Sequence, residues 1–169
     1  MPYDDQRERE DLVEALNVHR NFLRQTTRGL TDEQARQRTT VSQLCLGGII
    51  KHVTQVERNW ADFIVKGPAV MAFSDQAMKD HAASFEMLEG DTFAQLLDDY
   101  DAVARHTDEL ARSLPSLEAD QPLPEAPWFK PGAGRSARRV LLHIIAETAQ
   151  HAGHADIIRE SLDGAKTMG

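Results

Sequence analysis

Cysteine occurs once in the 169 residues, as Cys45. A single thiol excludes an intramolecular disulfide and fits a reducing compartment. Long apolar runs are missing too, and nothing approaches the ~20 residues of a membrane span. The opening segment MPYDDQRERE is charged and carries no apolar stretch of the kind a secretory leader requires. These absences lead us to expect a cytoplasmic protein with no membrane partner. Positive charge is in deficit, 19 Lys+Arg against 27 Asp+Glu, for a formal charge of −8. That balance disfavours nucleic acid as a partner. Lysine is scarcer than arginine, 5 against 14, a bias that GC-rich coding tends to produce. Strand-like alternation of apolar and polar residues is absent, as are internal repeats and low-complexity tracts.

What is present is helical. Hydrophobic residues make up 41% and charged residues 27%, the balance of a soluble globular chain. The length predicts one domain over residues 1–169. A first helix is expected over about residues 5–28, stopped by Gly29. TDEQ at 31–34 has the capping-box pattern and predicts a short helical turn. Ser42 is the expected N-cap of a second long helix, ended by Gly67 and Pro68. Residues 67–91 are less regular, with room for one short helix, and Asp91 is expected to open a third long helix to about Leu114. Residues 115–134, PSLEADQPLPEAPWFKPGAG, read as a long loop. Ser136 then caps a fourth helix that runs to about Leu162 and stops at Gly164. The expected fold class is all-α: a four-helix bundle with additional short helices and a long Pro-rich loop before the last helix.

The last helix holds the densest chemistry, HIIAETAQHAGHAD at 143–156. At 100° per residue, His143, Glu147, His151 and His154 share one stripe with Val140 and Ile158. Polar groups inside an apolar stripe are costly unless they find partners. They cannot all hold one ion, because residues 143 and 151 lie about 12 Å apart along the axis. Glu147 and His151, at i and i+4, form the best-spaced pair. On the second helix, His52 shares an inward stripe with Gly48, Val56, Asn59 and Phe63, which makes it the candidate third ligand. Two imidazoles and a carboxylate suit a divalent transition metal, zinc first, with nickel, iron or manganese as alternatives. Three protein ligands leave a position open, as catalytic sites do. The same spacing fits a buried Glu–His network that merely fixes helix pairing. His19, His81 and His106 lack such company and read as surface or packing residues. Cys45 reads as a buried, inert thiol and Trp60 as a core or interface residue. Trp128 and Phe129 read either as anchors of their loop or as the cover of a pocket mouth.

GGIIKHVTQVERNW, followed much later by LLHIIAETAQHAGHADIIRESLDG, resembles the DinB-like superfamily of small metal-binding four-helix proteins. The likeness covers essentially the whole chain and leans towards the mycothiol S-transferases of actinobacteria. It implies a metal held by His52, Glu147 and His151. Many members have His at the position of Glu147; the thiol-dependent maleylpyruvate isomerase branch has Glu. It also implies an enzyme that joins mycothiol, or a similar low-molecular-weight thiol, to a small electrophile in detoxification. On that reading metal coordination deprotonates the thiol. His154 is then the catalytic residue that takes the proton, and Asn59 binds the thiol co-substrate. His143 stands as a supporting group or substrate contact.

Two other classes stay open. One is a different metal-dependent reaction, either isomerisation of an unsaturated acid anchored by Arg135, Arg138 or Arg159, or hydrolysis. The other is a non-catalytic, stress-induced helical binding protein. The sequence permits a homodimer without requiring one.

Overall fold

The computed structural model describes residues 5–167; the extreme ends of the expected 1–169 domain lie outside them. In chain order the helices are α1 (Asp5–Gln25), α2 (Asp32–Arg36), α3 (Leu46–Lys66), a 3-10 turn (Pro68–Met71), α4 (Asp75–Ser84), α5 (Phe93–Ser113) and α6 (Ala137–Asp163). The four long ones, α1, α3, α5 and α6, form the expected bundle. The Thr31–Gln34 capping box forms. Ser136 caps α6 by accepting from the Arg139 N–H, and left-handed Gly164, at φ 79°, closes it.

Three boundaries differ from expectation, each because a short polar side chain bonds its own backbone. α1 stops early where Thr26 and Thr27 donate back to the carbonyls of Leu23 and Arg24, both at 2.7 Å. Ser42 does not cap α3, because its hydroxyl closes a bend by accepting from Leu44 N–H. Cys45 is the N-cap instead, its sulfur accepting from Gly48 N–H at 3.3 Å. Thr92, not Asp91, caps α5; the Asp91 carboxylate is taken by Lys51 and by Leu88 N–H, each at 2.8 Å. The long loop also contains regular structure. β1 (Asp120–Pro122) pairs antiparallel with β2 (Gly134–Ser136), with Gln121 opposite Arg135. Three residues per strand are too few for a period of two to show in sequence.

Two core clusters reveal how the helices run. One gathers Leu23 from the end of α1, Ile49 and Phe93 from the starts of α3 and α5, and Ile158 from the end of α6. The other gathers Leu12, Ile64, Ala111 and Val140 from the opposite ends. α1 and α6 therefore run one way, and α3 and α5 the other. α1 and α3 each pack against both α5 and α6, which puts them at opposite corners. Parallel neighbours cannot be joined by a tight turn. Between α3 and α5 the chain must travel back along a 21-residue helix, about 30 Å. Residues 67–92 make that return, with the 3-10 turn and α4 both packed on α3.

A polar layer lies between the two clusters. From α1, Arg20 reaches across to α3 and donates to both carboxylate oxygens of Glu57, at 2.5 and 3.3 Å. Its other terminal nitrogen donates to Asp108 on α5 at 2.6 Å and to Asn17 at 3.1 Å. Arg20 and Glu57 are each 0% exposed. Such a pair is tolerated because the fork geometry satisfies both charges; losing one partner strands the other. Glu57→Leu is expected to lower the unfolding free energy by about 3–5 kcal/mol. Asp108→Asn, at the partly exposed edge of the network, is expected to cost about 1 kcal/mol. Urea unfolding followed by far-UV circular dichroism separates the two.

Candidate metal centre and its cleft

His52 is buried on α3, and the return segment fixes its ring. Gly48, one turn earlier, allows this. A Cβ there would lie 1.9 Å from the Phe85 carbonyl oxygen, so only glycine lets the end of α4 come this close. Phe85 then stacks on the His52 ring, with centroids 3.8 Å apart and planes 20° apart. The Ser84 hydroxyl donates its single proton to the His81 carbonyl at 2.6 Å. It can therefore only accept from His52 Nδ1–H, 2.9 Å away. That contact selects the tautomer and leaves the Nε2 lone pair free, the arrangement that holds a metal-binding histidine in place.

Opposite stands α6. The His151 ring meets that of His52 edge-on at 4.9 Å, and Glu147 Oε2 lies 3.8 Å from His151 Nε2. One potential ligand atom from each of His52, Glu147 and His151 lies within 4.8 Å of the others. His151 Nδ1 is buried without a hydrogen-bond partner, an uncommon state in a finished core. The donor set and this orphaned nitrogen both fit a divalent transition metal. Burial, aided by His151 and His81, pushes the His52 pKa down to about 3. Burial and then His154 lower that of His151. Both rings are thereby biased towards the neutral form a metal requires.

With His151 close to both, His52 and Glu147 line a cleft of about 650 Å³. Its floor is α3 and α6, through His52, Val56, Asn59, Trp60, His143 and Glu147; its outer wall is the return segment, including Met71, Phe73, Met78 and His81, with Trp128 at the rim. The return segment and the second loop meet where the Phe73 and Trp128 rings contact at 5.2 Å. His143 packs edge-on against Trp60 at 4.8 Å and points Nε2 at Glu147, 3.8 Å away. Asn59 lines the cleft and its carboxamide makes no hydrogen bond to any described residue. His154 is half-buried next to His151; like His151, it is not part of the cleft wall. Phe129 packs against the second core cluster instead, and Cys45 is buried.

Sequence reasoning missed His81, whose ring meets that of His52 at 5.3 Å and which lines the cleft. Its signal was the spacing HAASF: His81, Ser84 and Phe85 fall on one helix face, and all three converge on His52. Of the three arginines considered as anchors, Arg138 is committed to Glu8 and Glu118. Arg159 is committed to Asp163 and to the carbonyls of Thr26 and Arg28.

A family model described as Mycothiol-S-transferase matches residues 11–164, almost the whole chain and every residue of the triad. The chain belongs to the mycothiol S-transferase family. With that, its kinship to the DinB-like superfamily holds, and family membership supports a transferase with a thiol substrate. No curated protein matches the chain. Among the described residues no helix is long and apolar enough to cross a membrane.

Two expectations follow from this packing. Gly48→Ala must push the Phe85 backbone away from α3. We expect it to cost about 1–3 kcal/mol of stability and to release the His52 ring, seen in denaturant curves and in the His52 imidazole NMR signals. The second concerns acid. In the metal-free protein His52 takes up a proton near pH 3, against 6.5 for the free side chain. Between those values the unfolded state binds more protons, so stability falls as the pH is lowered. Metal-stripped protein unfolded in urea at about pH 7 and about pH 4.5 is expected to lose more stability than His52→Gln does over the same interval.

Proposed function

We propose that this protein is a cytoplasmic, metal-dependent S-transferase that conjugates mycothiol, or a closely similar low-molecular-weight thiol, to small electrophiles in detoxification. The observation that carries the reading is the cluster of His52, Glu147 and His151, two of which line an open cleft, in a chain of this family. His52 Nε2, a Glu147 carboxylate oxygen and a His151 ring nitrogen are the ligands, with zinc as the metal. When bound, the dication would supply the positive charge that favours thiolate over thiol at neutral pH. Ser84 holds the His52 ring in its ligating tautomer, and His154, beside His151, receives the proton leaving the thiol. Asn59 offers its unpaired carboxamide to the polar body of the thiol co-substrate. Val56, Met71, Met78 and Trp128 supply an apolar wall for the electrophile. The protein needs no cysteine of its own for this chemistry, consistent with a buried Cys45 used as a helix cap.

The test is conjugation of mycothiol, bacillithiol, glutathione and cysteine to a fluorogenic electrophile by the zinc-loaded protein, with and without chelator. Turnover with mycothiol that the chelator stops and His52→Ala abolishes is the expected result. His154→Ala is expected to lower kcat by about 10²-fold or more. Turnover of an unsaturated acid or an ester in place of conjugation would move the reaction to isomerisation or hydrolysis. Metal-loaded protein inert towards every thiol would overturn the reading.

A further inference from the structure

Arg135 stands beside the cleft, over the ring of Trp60, which lines it. Its guanidinium carbon sits 5.4 Å from the centre of the Trp60 ring. Trp60 and His143, which lie against each other, both line the cleft. Among the described residues Arg135 has no carboxylate partner and no side-chain hydrogen bond, and its Nε is buried with nothing to donate to. Burial and the neighbouring Arg139 disfavour its charge, and the fields of Arg135 and Arg139 both reach His143. Arg139 likewise has no ion-pair partner among the described residues. Arg135, partly buried and unanswered, contrasts with the two buried arginines of this chain of formal charge −8, Arg9 and Arg20, which are paired with Asp5, Glu57 and Asp108. Stacking on Trp60 accounts for the face of the Arg135 guanidinium but leaves the N–H donors of its edge unused, and that edge suits a bidentate oxyanion.

We propose that Arg135, assisted by Arg139, is a subsite for an anionic group on the substrate, so that the enzyme selects electrophiles bearing a carboxylate, sulfonate or phosphate remote from the reacting carbon. This rests on the transferase reading and names its substrate class. Trp60 follows His52 by eight residues on α3, two turns or about 12 Å. The acid group therefore sits about that far from the triad, with the apolar body of the substrate along Val56, Met71 and Met78. The guanidinium reaches the anion over the edge of the Trp60 ring, so Arg135 is a specificity-determining residue and takes no part in bond making.

The probes are 6-acetamidohexanoate and its methyl ester, which are inert, and the matching chloroacetamides, in which the thiolate displaces chloride from the CH₂ group. Binding of the inert pair to the zinc-loaded protein is measured by isothermal titration, without thiol or turnover. The acid is expected to bind at least about tenfold more tightly than the ester. The margin should shrink between about 0.05 and 0.5 M NaCl, vanish in Arg135→Met and return in part in Arg135→Lys. Arg135→Met keeps an apolar cover on Trp60; should it still fail to fold, Arg139→Ala, at an exposed position, is expected to narrow the margin several-fold. Equal binding of acid and ester overturns the proposal. So does a preference that survives Arg135→Met but is lost in His52→Ala, which would place the carboxylate at the triad. With mycothiol as the fixed thiol, the KM ratio of the two chloroacetamides assigns the anion to the electrophile if it follows the binding margin. A ratio near one with a retained binding margin would overturn that assignment. If the inert acid binds through Arg135 while no thiol is consumed, the subsite stands and the transferase reading falls.

Discussion

A charge with no water around it must have a partner, and in this bundle that requirement ties opposite corners together. Arg20 and Glu57 are wholly enclosed, on helices that do not pack side by side, and Asp108 draws in a third. Apolar side chains would tolerate small slides of one helix on another. A forked ion pair does not, because a shift of a fraction of an ångström leaves a buried charge unpaired. The network fixes the height of α3 against α1 and α5 at its middle turns. His52 is only five residues from Glu57, so the same constraint sets the level at which it faces α6.

Site geometry then follows from connectivity. Parallel neighbours force the chain to return along the bundle, and the return lies on the side of α3 that carries His52. Gly48 removes a Cβ that would hold the end of α4 away. Ser84 and Phe85 consequently reach His52, and His81 comes with them. A segment that has to exist for topological reasons thus becomes the outer wall of a cleft and the clamp of a tautomer. Burial biases His52 and His143 in the cleft towards neutrality, and His143 also feels Arg135 and Arg139, which have no ion-pair partner among the described residues.

Much of this was legible beforehand. The i, i+4 spacing of Glu147 and His151 and the inward stripe of His52 on α3 are properties of helix geometry, and the structure brings all three together. Ser136, Gly164 and the Thr31–Gln34 box were readable because capping is local. The starts of α3 and α5 were misplaced by three residues and by one, since several Ser, Thr and Asp side chains could each have capped and local patterns do not rank them. Arg20 was missed because a charged residue at a core position gives no signal until its partners on other helices are known. His81 was missed for a related reason: its spacing with Ser84 and Phe85 means nothing until something faces them.

The sequence by itself determined the long helices, their apolar faces, the Glu147–His151 pair and the family, because each depends on residues near one another along the chain or on a motif with fixed spacing. Tertiary structure alone decided which nitrogen of His52 is free, that α4 walls the cleft, and that Arg135 lies over Trp60 with no carboxylate partner among the described residues. Those are relations between atoms tens of residues apart. They are set by which corners of the bundle the crossing ion pair and the returning chain bring together.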